Sequence, residues 1–299
     1  MKPVAFELHR PETLEEALAL LAAHADDGKV LAGGQSLVPL LNFRLARPEH
    51  VIDLGRIGAL KALRRTPEQL VIGAMVTYEQ AERSPAVEAA APLVAAALPH
   101  IAHQAIRARG TIGGSMAHGD PAAELPAVAA ALDADMVAVG PGGKRRIPAQ
   151  EFFLGNLVTA LQPDEVLVEI HLRPVRGRTG AAFDEVGRRK GDFALVGAGA
   201  QLTLTDDGVV DEARIALTGV SPTPHRAVEA ERLITGHRVE PDLLRAAAQE
   251  VRAALRPSAD LHATAEYRRE VAGTLVERVI QRAAERATAR AHEPTRRTA

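Results

Sequence analysis

Leu31-Ala32-Gly33-Gly34-Gln35-Ser36 joins a strand-like run, Lys29-Val30-Leu31, to a short apolar helical stretch that extends to about Arg44. About eighty residues on, Thr111-Ile112-Gly113-Gly114-Ser115 repeats the pattern of a double glycine closed by a small hydroxyl residue. Glycine tolerates positive φ and lacks the Cβ that would hold a phosphate away from the backbone. Consecutive free amides in such a turn form an anion-binding nest. A single double glycine marks little more than a turn. Two of them, each after strand-like or helical sequence, point to a pair of backbone loops closing on one ligand. The first lacks G-x-G-x-x-G order and follows the second strand of its unit, which excludes a Rossmann dinucleotide site. No Gly-Lys-Ser/Thr follows it either, which excludes a P-loop.

The flanking sequence makes this loop part of a small α/β unit. Val4-Ala5-Phe6-Glu7-Leu8 alternates as a strand does. Thr13-Leu14-Glu15-Glu16 has the form of a capping box. It opens a helix with Leu14, Ala17, Leu18 and Leu21 on one face. Ser36 is placed to cap the helix after the loop, and His50-Val51-Ile52-Asp53-Leu54 forms a further strand. The loop thus leaves the end of a strand, where open α/β sheets bind ligands.

Beyond it, 69–76 reads as a strand, and Thr77-Tyr78-Glu79-Gln80 is a second capping-box signature. Residues 87–104 read as an Ala-rich helix broken by Pro92 and Pro99. After the second glycine loop, Asp120-Pro121 opens an apolar helix over 122–132. Residues 136–139 and 144–147 form a hairpin around Pro141-Gly142-Gly143, and 165–172 a closing strand. Composition shifts at 173–180, which reads as a linker. Three strands (181–186, 193–204, 213–217) and three helices (227–233, 241–255, 264–289) follow. The last stretch, 288–299, reads as a disordered tail.

Composition narrows the function. A chain of 299 residues builds two or three domains. A net charge of −2 gives no electrostatic basis for binding nucleic acid or an anionic membrane. The absence of cysteine excludes disulfides, thiolate zinc sites and any iron–sulfur cluster held by this chain. Met1-Lys2-Pro3-Val4 leads straight into strand sequence without an apolar signal region, and every apolar run is too short to span a bilayer. A soluble, cytoplasmic protein is expected. With aromatics at 3% and no tryptophan, stacking platforms for bases or sugars are not expected.

His100, His103 and His118 lack carboxylates at ligand spacing and read as surface or core histidines; no metal site is expected. Ser115 lacks the second glycine of a nucleophile elbow, which argues against a hydrolase. Asp120 and Glu124, at i and i+4, would share a helix face. They either favour the helix N-terminus or accept hydrogen bonds from ligand hydroxyls. Arg107 and Arg109 flank the second loop, facing phosphate or water. Arg188-Arg189-Lys190-Gly191-Asp192-Phe193 is a basic turn ending either in a buried phenylalanine or in one set against a flat cofactor ring.

Ala32-Gly33-Gly34-Gln35-Ser36-Leu37, Thr111-Ile112-Gly113-Gly114-Ser115, Asp120-Pro121-Ala122-Ala123-Glu124-Leu125-Pro126 and Arg188-Arg189-Lys190-Gly191-Asp192-Phe193-Ala194 occur in that order. Together they resemble the FAD-binding medium subunits of the molybdenum hydroxylases, the family of carbon monoxide dehydrogenase and xanthine dehydrogenase, over about residues 3–285. The resemblance implies an α+β chain with a vanillyl-alcohol-oxidase-type (PCMH-type) FAD-binding fold at 1–175, in subdomains of about 1–56 and 57–175. It also implies a C-terminal domain at 180–287 with a three-stranded antiparallel sheet and helices.

By the same resemblance, the backbone of Ala32, Gly33, Gly34, Gln35 and Ser36 and of Thr111 to Ser115, Gly113 and Gly114 included, would hold the FAD pyrophosphate. Ile101 would line the cofactor pocket, Asp120 and Glu124 would meet FAD hydroxyls, Leu167 would lie near the flavin, and Phe193 would reach its ring. Some relatives carry a lysine where this chain has Asp184, so no charge contact is carried over there. The implied role is electron transfer. A large molybdopterin-binding subunit oxidises a substrate, a small subunit relays electrons through 2Fe–2S clusters, and FAD in this chain passes them to an external acceptor. A dimer of heterotrimers is implied, and no catalytic side chain in this subunit is required. The competing readings are a stand-alone FAD-dependent oxidoreductase with its own substrate site, and a nucleotide-binding protein without flavin chemistry. The C-terminal third offers no His/Tyr/Arg constellation for the former, and the intact glycine loops argue against the latter.

Overall fold

The computed structural model describes residues 1–24 and 26–290. The expected tail falls outside these from residue 291 on, while residues 288–290 belong to the last helix, Ala265–Arg290. The chain forms two compact units, neither contiguous in sequence. The first comprises Met1–Ala86, His103–Asp120 and Asp133–Arg173; the second comprises Val87–Ala102, Pro121–Leu132 and the described residues from Pro174 on.

In the first unit, β1 (Glu7–His9), β2 (Gly28–Leu31) and β3 (His50–Asp53) form a parallel sheet of order β1-β3-β2. The opening strand starts later than its alternation suggests. Thr13 caps the helix Leu14–Ala23 by accepting from the Glu16 amide at 3.2 Å. The return bond of the expected box goes one residue further out, with the Glu16 carboxylate accepting from the Glu12 amide at 2.8 Å. Ala17 and Leu21 on this helix pack with Ile52 of β3 in a core that also takes Leu54, Leu60 and Val137.

A second sheet contains β4 (Leu63–Arg65), β5 (Leu70–Gly73), β6 (Asp135–Gly140) and β7 (Gly143–Pro148). A small hairpin of β8 (Phe153–Gly155) and β9 (Val158–Thr159) precedes its central strand, β10 (Val166–Leu172). The order is β4-β5-β10-β6-β7, antiparallel throughout. The short β4 and the β8–β9 hairpin carry too little alternation to be read from sequence. Thr77 and Gln80 form a complete capping box on the helix Tyr78–Glu82.

The second unit is built on β11 (Arg178–Gly187), β12 (Ala194–Leu204), β13 (Val210–Thr218) and β14 (His225–Arg226), antiparallel and in that order. The expected three strands are therefore joined by a fourth of two residues, and the expected linker already enters β11 at Arg178. The long helix Ala265–Arg290 covers β11 and β12 through Val279, Ile280 and Ala283, and the helix Pro241–Ala254 packs on it. Leu93, in the helix Pro92–Ala97, faces Phe183 and Gly199 on the opposite side of the sheet. With both faces covered, β12 reads as a continuous Ala/Gly/Val run rather than an alternating one.

The helix Glu124–Ala131 is buried at all eight positions. Its start corrects the sequence reading: Asp120 is not on it. A residue preceding proline is disfavoured in the α region, so Asp120-Pro121 forms a turn and the helix begins four residues later. Asp120 and Glu124 consequently share no helix face and fall in different units. The preceding segment is tied down by Thr218, whose hydroxyl donates to the Pro121 and Ala123 carbonyls at 2.6 and 2.9 Å.

Gly180 shows how tightly β11 meets the long helix: a Cβ there would collide with the Ala283 carbonyl oxygen and the Ala287 amide nitrogen. Overpacking of this kind costs about 1–3 kcal/mol. Gly180→Ala is expected to lower the stability of the purified chain by that amount in urea denaturation; an unchanged midpoint would contradict this packing.

Candidate functional site

The first glycine loop leaves the C-terminal end of β2, whose residues Gly28 to Leu31 pair in parallel with His50 to Asp53. Gly34 takes a left-handed backbone (φ +76°), which a β-branched residue would resist. Its carbonyl accepts from the Val38 amide at 3.1 Å, and Gln35 Nε2 donates to the Gly33 carbonyl at 3.2 Å. Among the described residues, no acceptor meets the backbone N–H groups of Gly33, Gly34, Gln35 or Ser36. Ser36 does not cap the helix Leu37–Asn42 as its position suggests. Its backbone is already helical (φ −106°, ψ −48°), whereas a capping side chain swings over the first turn from an extended backbone. Four unpaired amides beside a hydroxyl make this turn a donor site for an anion.

The second loop is different. It begins the helix Ile112–His118, capped by Thr111, whose Oγ1 accepts from the Gly114 amide at 3.1 Å. The Ile112 amide donates to the Val76 carbonyl and the Gly113 amide to the Ala74 carbonyl, both at 2.9 Å. The Ala74 amide in turn donates to the Val168 carbonyl of β10 at 2.9 Å, carrying the β5–β10 register one residue further. Gly113 must be glycine for this approach, because a Cβ would overlap the Ala74 side chain. The amides expected to bind a ligand here are thus largely consumed by the protein. The loop retains a half-buried Ser115 and a bare backbone surface.

The structure brings the two loops together. A Cβ on Gly33 would strike the Arg109 carbonyl oxygen and come within 2.8 Å of the Gly110 Cα, and one on Gly114 would lie 3.4 Å from the Ala32 Cβ. Gly110 is itself held by donation from the Tyr78 amide to its carbonyl at 3.0 Å. Of the flanking arginines, Arg107 is engaged by Glu82 (Nε to Oε2, 2.9 Å), whereas Arg109 is exposed. Asp120 and the buried Leu167 lie in this same first unit.

Ile101, Glu124 and Phe193 lie in the second unit. Ile101 is buried. Phe193 is 66% exposed, so the basic turn does not end in a core residue. Arg188 in that turn approaches Asp192 at 3.8 Å and the His262 ring at 3.1 Å. Asp184 accepts from both Arg278 and Arg282 at 3.0 Å, which accounts for an acid at this position. Glu124 is buried to 7% exposure. Burial, then the nearby charges of Glu124 and Asp184, push the Glu185 carboxyl up to about 8. Its Oε2 is buried with no hydrogen-bond partner among the described residues. Sequence reasoning missed Glu185 because a single glutamate in β11 carries no motif and its burial comes from residues distant in sequence. His100 packs edge-on against Phe183, 5.2 Å between ring centres, and burial holds it below the usual histidine range. Among the described residues, His100, His103 and His118 form no cluster able to hold a metal.

Residues 4–174 match the family model described as the FAD binding domain in molybdopterin dehydrogenase, and residues 181–283 match that of the CO dehydrogenase flavoprotein C-terminal domain. The chain belongs to the FAD-binding medium subunits of the molybdenum hydroxylases. Among curated relatives, the carbon monoxide dehydrogenase medium chain of Hydrogenophaga pseudoflava is 40% identical over 95% of this chain and 98% of its own. The caffeine dehydrogenase subunit beta of Pseudomonas sp. (strain CBB1) is 42% identical over 96% and 97%. A solved carbon monoxide dehydrogenase from Hydrogenophaga pseudoflava superposes with a TM-score of 0.92 at 41% identity, covering 96% of this chain and 99% of that one. The family makes this medium subunit an oxidoreductase component with an FAD-binding domain. Its PCMH-type fold agrees with the expectation from sequence.

Glu185 carries a pH signature. Burial pushes its carboxyl from the ordinary 4.5 up to about 8, so unfolding between these pH values releases a proton. Stability from this group is full below about 4.5 and is lost as pH rises towards 8. Glu185→Gln is expected to stabilise the chain relative to wild type more at pH 7.5 than at pH 5, by about 1–3 kcal/mol. Urea melts at the two pH values measure this; parallel pH dependence in both proteins would contradict it.

Proposed function

We propose that this chain is the electron-transfer subunit of a heterotrimeric molybdenum hydroxylase. The observation that carries the reading is the 33–36 turn, whose four amides meet no acceptor among the described residues, backed onto the second glycine loop. The chain also aligns nearly end to end with medium subunits. FAD bound here would accept electrons from 2Fe–2S clusters of a small partner subunit and deliver them to an external acceptor.

The residues of this chain bind and orient. The Ala32 to Ser36 backbone would hold the pyrophosphate, the Gly33 to Ser36 amides donating to it, with the Gln35–Gly33 bond fixing the turn. Because the Ile112, Gly113 and Gly114 amides already have acceptors, the segment from Thr111 to Ser115 contributes shape and the Ser115 hydroxyl rather than a second nest. By the family resemblance, Asp120 and Glu124 would each accept hydrogen bonds from ribose or ribityl hydroxyls. By the same resemblance, the buried Ile101 and Leu167 and the exposed Phe193 would each offer apolar surface to the flavin. No side chain here needs to move a proton, since substrate oxidation belongs to a large molybdopterin-binding subunit. Relatives named for carbon monoxide and for caffeine share this fold, as expected when the substrate pocket lies on another chain. The assembly would be a dimer of heterotrimers in the cytoplasm. Among the described residues, no helix is long and apolar enough to cross a membrane.

Gly33→Val and Gly114→Val test the site. The wild-type chain is expected to take up one FAD, and each variant, whose side chain forces the two loops apart, to bind it at least about tenfold more weakly. Full occupancy in both variants would remove the loops from the site. A folded wild-type chain that takes no FAD would overturn the reading.

A further inference from the structure

Three histidines that belong to no motif converge on one face of the three-stranded sheet. Strand periodicity places Glu7 and His9 of β1 on one face. The parallel register sets Glu7 beside His50 and His9 beside Ile52 of β3, so all four share that face. Ile52 is covered by Ala17 and Leu21 of the helix Leu14–Ala23. His24, the residue that ends this helix, continues the same stripe at i, i+4, i+7.

The result is a compact donor set. His9 Nε2 lies 3.0 Å from His50 Nδ1, and the His24 and His50 rings stack at 3.6 Å. One ligand nitrogen from each of the three lies within 4.8 Å of the others. The Glu7 carboxylate stands 3.7 Å from His50 Nδ1 and 3.9 Å from His9 Nε2. The His9 and His50 side chains are only 16% and 19% exposed. A tetrahedral ion with bonds of about 2.0–2.1 Å holds its donors roughly 3.3 Å apart, and the observed separations straddle that figure. Imidazole nitrogens with one carboxylate suit zinc and its borderline neighbours, not calcium or magnesium.

We propose that Glu7, His9, His24 and His50 bind one divalent transition-metal ion of the Zn²⁺ class. The ion takes the place of the direct contact between the His9 and His50 nitrogens. It staples β1 and β3 to the C-terminal end of the helix above them. The site is separate from the glycine loop: His50 pairs with Gly28 at the start of β2, whereas the loop leaves the other end of that strand after Leu31. Its role is structural, fixing the sheet from which the loop projects.

The test uses the full chain carrying no polyhistidine tag, stripped with chelator and dialysed, then titrated with Zn²⁺ and with Co²⁺. One equivalent of Zn²⁺ is expected, with a raised Tm and the intense visible absorption of tetrahedral Co²⁺. His9→Gln, His24→Asn and His50→Gln are each expected to weaken binding at least about tenfold and to abolish the rise in Tm. FAD content should not change. Binding that persists undiminished in all three variants overturns the site. So does a wild-type chain with no stoichiometric Zn²⁺ and no tetrahedral Co²⁺ absorption, however the variants behave.

Discussion

Gly33 lies so close to Arg109 and Gly110 that no side chain fits between them. This backbone-to-backbone contact is the constraint on which the rest of the first unit depends. It requires the strand β2 to deliver its loop at one height and the helix Ile112–His118 to start at the same height. The first condition is met by parallel pairing of β2 with β3. The second is met by a relay of main-chain bonds. The Val168 carbonyl holds the Ala74 amide, and the Ala74 carbonyl holds the Gly113 amide. The first bond extends the β5–β10 ladder by one residue, and the second spends the carbonyl at the end of that ladder on the helix.

The two glycine loops look alike in sequence and differ in chemistry. In one, the amides of four successive residues meet no acceptor among the described residues; in the other, the corresponding groups are spent on Val76, Ala74 and Thr111. A double glycine reports that backbone must come close to something. Whether that something is a ligand or the protein itself depends on contacts between residues far apart in sequence. Gly113 is explained by Ala74, Gly33 by Arg109, and Gly34 by its own left-handed φ.

Local signals were readable wherever one side chain satisfies one nearby amide, as at Thr13 and Thr77, or where a helix buries a regular stripe, as at Ala17 and Leu21. The family was readable because four motifs keep their order along the chain. Nonlocal features were not. The bulge at Val168, the late helix start at Glu124 and the fourth strand, β14, depend on partners supplied from elsewhere. The buried Glu185 reads as one more polar strand residue until its neighbours are known. The histidine trio was spelled out by strand and helix periods, yet only the register of β1 against β3 brings its members onto one face.

The central claim is that this chain carries electrons for a substrate oxidised on another subunit. Purification of the chain from its native cells, through a tag on this subunit other than polyhistidine, addresses it directly. The eluate would be assayed for flavin, molybdenum, iron and co-purifying chains. FAD together with molybdenum, iron and two further chains is the predicted result. FAD on a chain that elutes alone, without molybdenum or iron, would contradict the account and make the protein a stand-alone flavoenzyme.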